Sequence, residues 1–271
     1  MAGEMARRIT KRQDNEILEG FPEDVFDKND RKQSKVVVIT GATDGIGLEL
    51  AKLYGKATHL VIATGRKISV DDQALFGDAS VFYFRADQSD PNRAAANILK
   101  ALDELNLPGP DLCILNAAMG WTGRFWEEPP ETVQNQITVN ITAQIAIAHA
   151  LAPRLKAAKG HLVFIGSTAQ KGAPGFATYA ATKAALDGLA RSLWAEWRGD
   201  VMVSTIHPGP TRTTMHAKVG LKLGAVRLLF MQAKRAAKAI IRSIRKRERR
   251  RMLTRSYGWG SIFTPMKEDR L

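Results

Sequence analysis

The sequence of 271 residues contains a single cysteine, Cys113, which lies in an apolar run. No disulfide framework can form, and a reducing compartment is expected. The chain also has no run of about 18 uncharged apolar residues, the length that a membrane-spanning helix needs. Its five histidines lack the spacing of a metal site, and one cysteine cannot complete a zinc set. We therefore expect a cytoplasmic protein without a bound metal.

The length and the hydrophobic content of 45% indicate a globular protein with its own core. Residues 1–34 mix acidic and basic side chains and contain no long apolar stretch, which predicts an N-terminal arm rather than a signal peptide. Phe21, Val25 and Phe26 are its candidates for contact with the body. Residues 35–271 are predicted to form a single domain.

Strand-like apolar runs alternate with helical segments from residue 36 onward. The candidate strands are Val36–Thr40, Leu60–Ala63, Val81–Phe84, Leu112–Leu115, Leu162–Ile165, Val201–Ile206 and Met252–Tyr257. The candidate helices are Gly47–Gly55, Pro91–Leu105, Thr132–Lys156, Tyr179–Trp197 and Gln232–Glu248. This alternation predicts an α/β fold with a doubly wound parallel sheet. Right-handed crossovers then place the active site beyond the carboxyl ends of the strands.

A glycine-rich turn, T-G-A-T-D-G-I-G over residues 40–47, follows the first strand. A strand, a glycine turn and a helix together present backbone N–H groups and a helix N-terminus to a pyrophosphate. Gly41 suits the tight turn, Gly45 lets phosphates approach the backbone, and Gly47 lets the helix pack closely on the strand. The candidate cofactor contacts here are Gly41, Thr43, Asp44, Gly45, Ile46 and Gly47.

Tyr179 and Lys183 lie four residues apart in a helical segment, so their side chains share one face. A nearby cation stabilises phenolate over phenol, which suits a tyrosine to donate and accept a proton. Ser167 follows the strand-like run 162–165 and Gly166, where its hydroxyl could hold a carbonyl oxygen; Thr168 is the competing candidate. This group predicts a site that moves a proton on or off an alcohol oxygen.

In combination, these motifs resemble the short-chain dehydrogenase/reductase family, in its short single-domain branch, over about residues 35–257. The T-G-x-x-x-G-x-G spacing and the later Y-x-x-x-K pair occur in the order that the family shows. The resemblance implies a Rossmann fold with a seven-stranded parallel sheet of order 3-2-1-4-5-6-7 and helices on both faces. It also implies a homodimer or homotetramer that interconverts a carbonyl and a secondary alcohol by hydride transfer.

The resemblance further implies roles for residues outside these two motifs. Asn140 corresponds to the family's fourth catalytic residue, and Asp87 to an acid near the adenine. Asn116-Ala117 resembles part of the N-N-A-G segment, from which Leu115 and Ala118 depart. Residues 208–213 resemble the P-G-x-x-x-T turn that covers the nicotinamide. The cofactor contacts implied in this way are Asp87, Asn116, Ala117, Tyr179, Lys183, Pro208, Gly209, Thr211 and Thr213.

The choice of nicotinamide cofactor depends on the residues after the second strand. A site that selects NAD places a carboxylate there for the ribose 2′-hydroxyl, but no acid occurs before Asp71. Arg66 instead offers a planar fork to a 2′-phosphate, with Lys67 as a possible auxiliary. Asp44 in the glycine turn adds a negative charge close by. The sequence favours NADP(H), with NAD as the alternative.

The expected mechanism is the reduction of a ketone or aldehyde by NADPH, with Tyr179 as the general acid and base. Ser167 would donate a hydrogen bond to the carbonyl oxygen, and Lys183 would lower the pKa of Tyr179 and hold the nicotinamide ribose. Asn140 would anchor a water that relays protons from Lys183. The substrate is expected to be apolar or carrier-linked.

The net charge of +13 is concentrated between residues 216 and 255, where fourteen Lys or Arg face one acid, Glu248. This stretch contains a predicted substrate-covering loop, residues 213–231, and a predicted basic helix, residues 232–251. The run Arg245–Arg251 is either a solvated helix face or a docking site for an acidic carrier or an anionic membrane surface. Nucleic acid is not expected, because aromatic platforms are absent. The alternative function is a nucleotide-binding regulatory or peripheral membrane protein with little turnover.

Overall fold

A seven-stranded parallel sheet forms the centre of the molecule. The computed structural model describes residues 25–26, 34–57, 59–212 and 230–253. The strands in chain order are β1 (Val36–Thr40), β2 (Leu60–Gly65), β3 (Val81–Arg85), β4 (Leu112–Leu115), β5 (His161–Ile165), β6 (Met202–Pro208), β7 (Thr211–Arg212), β8 (Met231–Gln232) and β9 (Arg250–Leu253). The large sheet has the order β3-β2-β1-β4-β5-β6-β9, while β7 and β8 pair separately. The predicted order is confirmed, with β9 as its seventh strand.

Helices cover both faces of this sheet. They are α1 (Gly45–Lys56), α2 (Asp72–Phe76), α3 (Pro91–Glu104), α4 (Pro130–Ile137), α5 (Ala143–Ala157), α6 (Ala177–Glu196) and α7 (Ala233–Arg245). The sequence predicts one helix over residues 132–156, but a π-helical turn, Thr138–Thr142, separates α4 from α5. This turn places Asn140 in the interior of the protein, at 0% exposure.

Two hydrophobic clusters, one on each face of the sheet, form the core. The first joins β1 to α1 and α7, as Leu50 and Ile240 show. The second joins the other face to α3, α5 and α6, with Ile98 and Leu151 among its members. Because β1 is covered on both sides, its residues 37–40 are all buried, as expected for a central parallel strand.

The end of the N-terminal arm packs on the first of these clusters. Val25 and Phe26 are buried, and the Phe26 ring lies edge-on to Tyr54 with centroids 5.4 Å apart. Arg245 of α7 donates a hydrogen bond to the carbonyl oxygen of Val25 at 2.7 Å. The predicted contact of Val25 and Phe26 with the body is confirmed, whereas Phe21 lies outside the described residues.

The carboxyl-terminal elements differ from the sequence prediction. The last helix ends at Arg245, not at residue 251, because Arg247 turns the chain with a φ of 51°. The last strand begins at Arg250, two residues before the predicted start, since Arg250 pairs with Thr205 of β6. The predicted strand residues 254–257 and most of the predicted substrate loop, residues 213–229, lie outside the described residues.

Candidate active site

The glycine turn, Asn116, Ser167 and Pro208 all lie at the carboxyl ends of strands, as the fold predicts. Tyr179 and Lys183 reach the same edge of the sheet from α6, which begins shortly after β5. The structure therefore brings the predicted catalytic group and the predicted cofactor turn to one place.

The glycine turn between β1 and α1 has no room for a side chain at Gly41 or at Gly47. Gly41 and Gly45 have φ values of 64° and 55°, a region that favours glycine. A Cβ atom on Gly41 would lie 2.7 Å from the Cα atom of Ala117, and one on Gly47 would overlap the carbonyl oxygen of Gly41. The three glycines thus allow a tight turn in which the start of α1 approaches the ends of β1 and β4.

Polar contacts hold this turn in place. Asp44 caps α1, its Oδ1 accepting a hydrogen bond from the Gly45 N–H at 2.6 Å. Ala42 N donates to Thr64 O of β2 at 2.9 Å. Thr43 lies beside Gly65, where a Cβ would come within 3.1 Å of its Cγ2 atom. Asp44 and Thr43 therefore lie where the turn meets the start of α1 and the end of β2.

Asn116 links the glycine turn to the end of β4. Its side-chain amide donates to the carbonyl oxygens of Thr40 at 3.0 Å and Gly41 at 3.2 Å. The backbone N–H groups of Asn116 and Ala117 both donate to Thr40 Oγ1. The segment thus keeps the position of its asparagine although Leu115 and Ala118 depart from the family pattern.

Arg66 and Asp87 follow β2 and β3, the two strands on the other side of β1. Arg66 is exposed, and the loop that carries it is held by a hydrogen bond of 2.7 Å from Tyr83 Oη to Lys67 O. Asp87 is half-buried, and its Oδ1 atom accepts hydrogen bonds from the N–H and hydroxyl of Ser89. Both residues border the carboxyl edge that also carries the glycine turn.

Ser167 and Tyr179 are in direct contact. Ser167 starts a short 3₁₀ turn, Thr168–Lys171, and its Oγ accepts a hydrogen bond from Ala169 N at 3.1 Å. Burial of the phenol raises the pKa of Tyr179, and a hydrogen bond with Ser167 lowers it in part. This contact favours Ser167 over Thr168 as the hydroxyl that acts with Tyr179.

Lys183 lies on the same face of α6 but is directed to β5. It is 1% exposed, and its Nζ donates to the carbonyl oxygen of Ile165 at 2.9 Å. Nζ is 5.7 Å from the centroid of the Tyr179 ring. Burial lowers the pKa of Lys183 to about 7. The expectation that Lys183 lowers the pKa of Tyr179 is not met in this structure, because burial of the phenol dominates and the ammonium is itself destabilised.

Asn140 binds both the loop after β4 and the helix α6. Its Oδ1 accepts from Met119 N at 2.8 Å, and its Nδ2 donates to Met119 O at 2.8 Å and to Thr182 Oγ1 at 3.0 Å. Thr182 precedes Lys183 on α6, so Asn140 connects the loop after β4 to the helix that carries Tyr179 and Lys183. The π-helical turn is the local feature that makes this contact, as is common at functional sites.

Gln144 supports the site and was missed by the sequence interpretation. It is fully buried, and its Nε2 donates to the carbonyl oxygen of Ala117 at 2.9 Å. Its position four residues after Asn140 is the pattern that could have indicated it, since residues at that spacing share a helix face.

Pro208 ends β6, and Gly209 and Thr211 follow that strand on the far side of the site. Gly209 N donates to Leu253 O of β9 at 3.0 Å, and Thr211 Oγ1 donates to Gly209 O at 2.9 Å. Thr213, the last of the predicted cofactor contacts, lies outside the described residues.

The lowered pKa of Lys183 predicts that stability depends on pH. The pKa falls from 10.5 to about 7 on folding, so the unfolded chain binds more protons between these values and stability rises with pH through that window. Lys183→Met removes this cost and is expected to be more stable than the wild type by roughly 2–4 kcal/mol at pH 7. The advantage should shrink towards pH 10 in denaturant unfolding at several pH values. A difference independent of pH would contradict the assignment.

Two features of the described residues concern metals and membranes. They contain no cluster of three His, Cys, Asp or Glu that could hold a metal ion. None of their helices is long and apolar enough to cross a membrane.

Comparison with known proteins agrees with this geometry. The family model for short chain dehydrogenase matches residues 35–224. The uncharacterized oxidoreductase YciK of Escherichia coli (strain K12) is 30% identical over 203 residues, which cover 70% of this chain and 79% of that protein. The 1-deoxy-11-beta-hydroxypentalenate dehydrogenase of Streptomyces exfoliatus is 34% identical over 197 residues, 68% of this chain and 70% of that protein.

Among solved structures, the short-chain dehydrogenase of Sphingobium yanoikuyae in complex with NADPH has a similar fold. Its TM-score is 0.72 at 27% identity, and the match covers 80% of this chain and 87% of that one. The family-model match over residues 35–224 includes the glycine turn and the helix of Tyr179, and it shows that this chain belongs to the short-chain dehydrogenase/reductase family of oxidoreductases.

Proposed function

We propose that this protein is an NADP(H)-dependent oxidoreductase that interconverts a carbonyl and a secondary alcohol, with Tyr179 as general acid and base. The observation that carries the proposal is the placement of the Ser167 hydroxyl beside the Tyr179 phenol, at the sheet edge that also holds the glycine turn. Lys183 and Asn140 lie around the same pair. Such an arrangement can transfer a proton to or from an oxygen atom whose carbon lies next to a bound cofactor.

Each side chain has a role that follows from its contacts. The raised pKa of Tyr179 keeps the phenol protonated near neutral pH, so it can donate a proton to a carbonyl oxygen. Ser167 stabilises the negative charge that develops on that oxygen by donating a hydrogen bond. Lys183, with a pKa of about 7, can hold or release a proton next to Tyr179. Asn140 holds the loop after β4 against α6.

The chain's own residues fit a nicotinamide dinucleotide. Glycine at residues 41, 45 and 47 leaves no side chain over the start of α1, where backbone N–H groups other than that of Gly45, which Asp44 caps, can bind phosphates. Arg66 would pair with a 2′-phosphate, while Asp87 and Asn116 would border the adenosine. When bound, the nicotinamide supplies or accepts a hydride. A family member that is 27% identical has been solved with NADPH, which supports the choice of cofactor.

The surroundings of Tyr179 favour an apolar substrate. The Phe176 ring lies edge-on to Tyr179 with centroids 6.3 Å apart. Gly120 also lies against the Tyr179 ring, where a Cβ would come within 3.3 Å of Cδ2. Trp121 follows Gly120 and packs against Gly123. An aromatic ring and a glycine beside the Tyr179 ring suit an apolar ketone or aldehyde better than a charged one.

Arg66→Ala tests the cofactor assignment. Loss of a charge-assisted hydrogen bond to a 2′-phosphate is expected to raise the Kd for NADPH by about 10- to 100-fold and to leave the Kd for NADH within about twofold. Fluorescence titration with NADPH, NADP, NADH and NAD measures this directly. Lys100→Ala, which removes an exposed cation on the outside of α3, is the matched control.

This titration distinguishes an error in the role of Arg66 from an error in the proposed function. If the wild type prefers NADH, the role of Arg66 is wrong while an oxidoreductase is still supported. If none of the four nucleotides binds, the proposed function fails. A preference for NADPH leads to a screen of ketones and aldehydes by the loss of NADPH absorbance.

We extend the proposal to a homodimer or homotetramer that packs through the outer face of α6. This face carries the exposed small residues Ala181, Ala184 and Ala185, and it borders a groove of about 580 Å³ together with residues 170–174. Small side chains permit close helix approach in an interface. Two α6 helices could therefore pack against each other here without steric obstruction.

The basic run Arg245–Arg251 has contacts within the fold that limit a docking role. Arg245 binds Val25, the Arg249 guanidinium lies 3.3 Å from the centroid of the Trp194 ring, Arg250 pairs with Asp187, and Arg251 pairs with Glu248. These contacts support a structural role for much of the run. Docking to an acidic carrier or an anionic membrane surface stays a prediction.

A further inference from the structure

The ring of His207 lies directly behind the catalytic serine. His207 is the sixth residue of β6, is 0% exposed, and packs beside the end of β5. A Cβ atom on Gly166 would overlap its Nδ1 atom. The imidazole therefore occupies the space that a side chain at residue 166 would need, and it supports the backbone from which Ser167 projects.

Asp187 anchors this ring to the helix of Tyr179. His207 Nε2 donates to Asp187 Oδ1 at 3.0 Å, and Arg250 Nε of β9 donates to the same oxygen at 2.8 Å. Asp187 lies four residues after Lys183 and eight after Tyr179, so all three side chains share one face of α6. The network consequently joins β6, β9 and α6 at the level of the catalytic group.

A second contact ties the same helix to the same end of β5. Lys183 Nζ binds the carbonyl oxygen of Ile165, one residue before Gly166. The backbone that carries Ser167 is thus held to α6 at two neighbouring points, directly through Lys183 and indirectly through His207 and Asp187. Two attachments restrict the movement of Ser167 relative to Tyr179 more than one attachment would.

The charge states of Asp187 and His207 favour a single hydrogen-bonded arrangement of these two side chains. Burial works to raise the pKa of Asp187, but the hydrogen bond and charge of Arg250 outweigh it and hold that pKa below its usual range. Burial lowers the pKa of His207, Arg250 lowers it further, and Asp187 opposes both. At neutral pH an ionised Asp187, which can only accept, faces a neutral His207 whose proton lies on Nε2. Arg191 is a more distant partner of Asp187, at 3.9 Å.

We propose that His207, held by Asp187 and Arg250, is a positioning residue that sets the position of the Ser167 hydroxyl relative to Tyr179. It touches neither cofactor nor substrate and acts only through the Gly166–Ser167 backbone. The inference rests on the proposed function, because it assumes that Ser167 and Tyr179 act together on a carbonyl.

The test compares His207→Ala with a second buried histidine. His161 is buried at the amino end of β5 and its Nε2 binds Ser204 Oγ at 2.8 Å, so His161→Ala removes a similar side chain from the opposite end of the same strand pair. His207→Ala is expected to lower kcat by about 10- to 100-fold with the Kd for NADPH unchanged, since small misplacements of reacting groups have effects of this size. His161→Ala should affect only stability.

Two further measurements keep the inference testable. His207→Gln, whose amide can still donate to Asp187, should recover most of the lost kcat. Deuterium uptake of the segment 166–171 should rise in His207→Ala and not in His161→Ala, which can be measured even where no ketone or aldehyde of the screen is turned over. If uptake or kcat of His207→Ala matches that of His161→Ala, the inference is wrong.

Tyr179→Phe in the same assay separates this inference from the proposed function. Full turnover in Tyr179→Phe would remove the proposed function and the inference together. Lost turnover in Tyr179→Phe with unchanged turnover and uptake in His207→Ala would overturn the positioning role alone.

Discussion

Tyr179→Phe is expected to reduce kcat by about a thousandfold or more, because general acid and base catalysis contributes effects of this order. The substitution removes the hydroxyl that Ser167 contacts and leaves the ring, which packs edge-on to Phe176. The glycine turn and Arg66 do not depend on that hydroxyl. The Kd for NADPH should therefore stay within about threefold of the wild type, since no phosphate contact is lost.

The measurement is the initial rate of NADPH oxidation with the best carbonyl substrate, alongside a fluorescence titration of NADPH. Tyr54→Phe is the matched control, since Tyr54 is buried on α1 against Phe26 and away from Ser167. It should keep the wild-type kcat. If Tyr179→Phe retained a kcat within tenfold of the wild type, Tyr179 would not be the proton donor. A parallel loss of NADPH affinity would instead indicate that the phenol mainly holds the cofactor.

Gly47→Ala is expected to abolish measurable NADPH binding, an increase in Kd of about 100-fold or more, and to destabilise the fold by roughly 1–3 kcal/mol. The new Cβ would overlap the carbonyl oxygen of Gly41 and the side-chain amide of Asn116. Both are parts of the turn itself, and the first is backbone that cannot rotate away. Relief of the overlap would have to move α1 away from β1, and the phosphate-binding N–H groups would move with it.

Titration of NADPH and thermal unfolding of the variant measure the two effects. Lys52→Ala places the same residue type at a half-buried position five residues later in the same helix, and it should change the Kd by less than about twofold. An unchanged NADPH affinity in Gly47→Ala would show that the cofactor does not rest on this turn.

The strands of the sheet could be predicted from the sequence, because a strand that is buried on both faces is a short, continuous apolar run. Strands such as β1 and β4 are short β-branched or aliphatic runs, and each is followed by a polar or glycine residue where the chain reaches the functional edge. The residue at which α7 ends could not be predicted from the sequence. The charge pattern continues unchanged through Arg251, and only the pairing of Arg250 with Thr205 shows that the chain has entered a strand.

The candidate site likewise has some features that the sequence predicts and others that it does not. The spacing of Tyr179 and Lys183 on one helix face and the glycines of the turn follow from local geometry, so the sequence by itself indicated these members of the candidate site, whereas the buried Gln144 was missed. The sequence could not show that Lys183 is directed to Ile165, that burial raises the pKa of Tyr179, or that a π-helical turn buries Asn140.

The contacts of His207 are the clearest case of what only the tertiary structure decided. In the sequence it is one histidine before a proline, with no partner at helical or strand spacing. Asp187, its hydrogen-bond partner, is 20 residues away along the chain, and Arg250, which binds the same carboxylate, is 43 residues away. Local periodicity specifies helices, strands and turns because it acts over a few residues, whereas charge pairing and desolvation depend on which elements the packed core brings together.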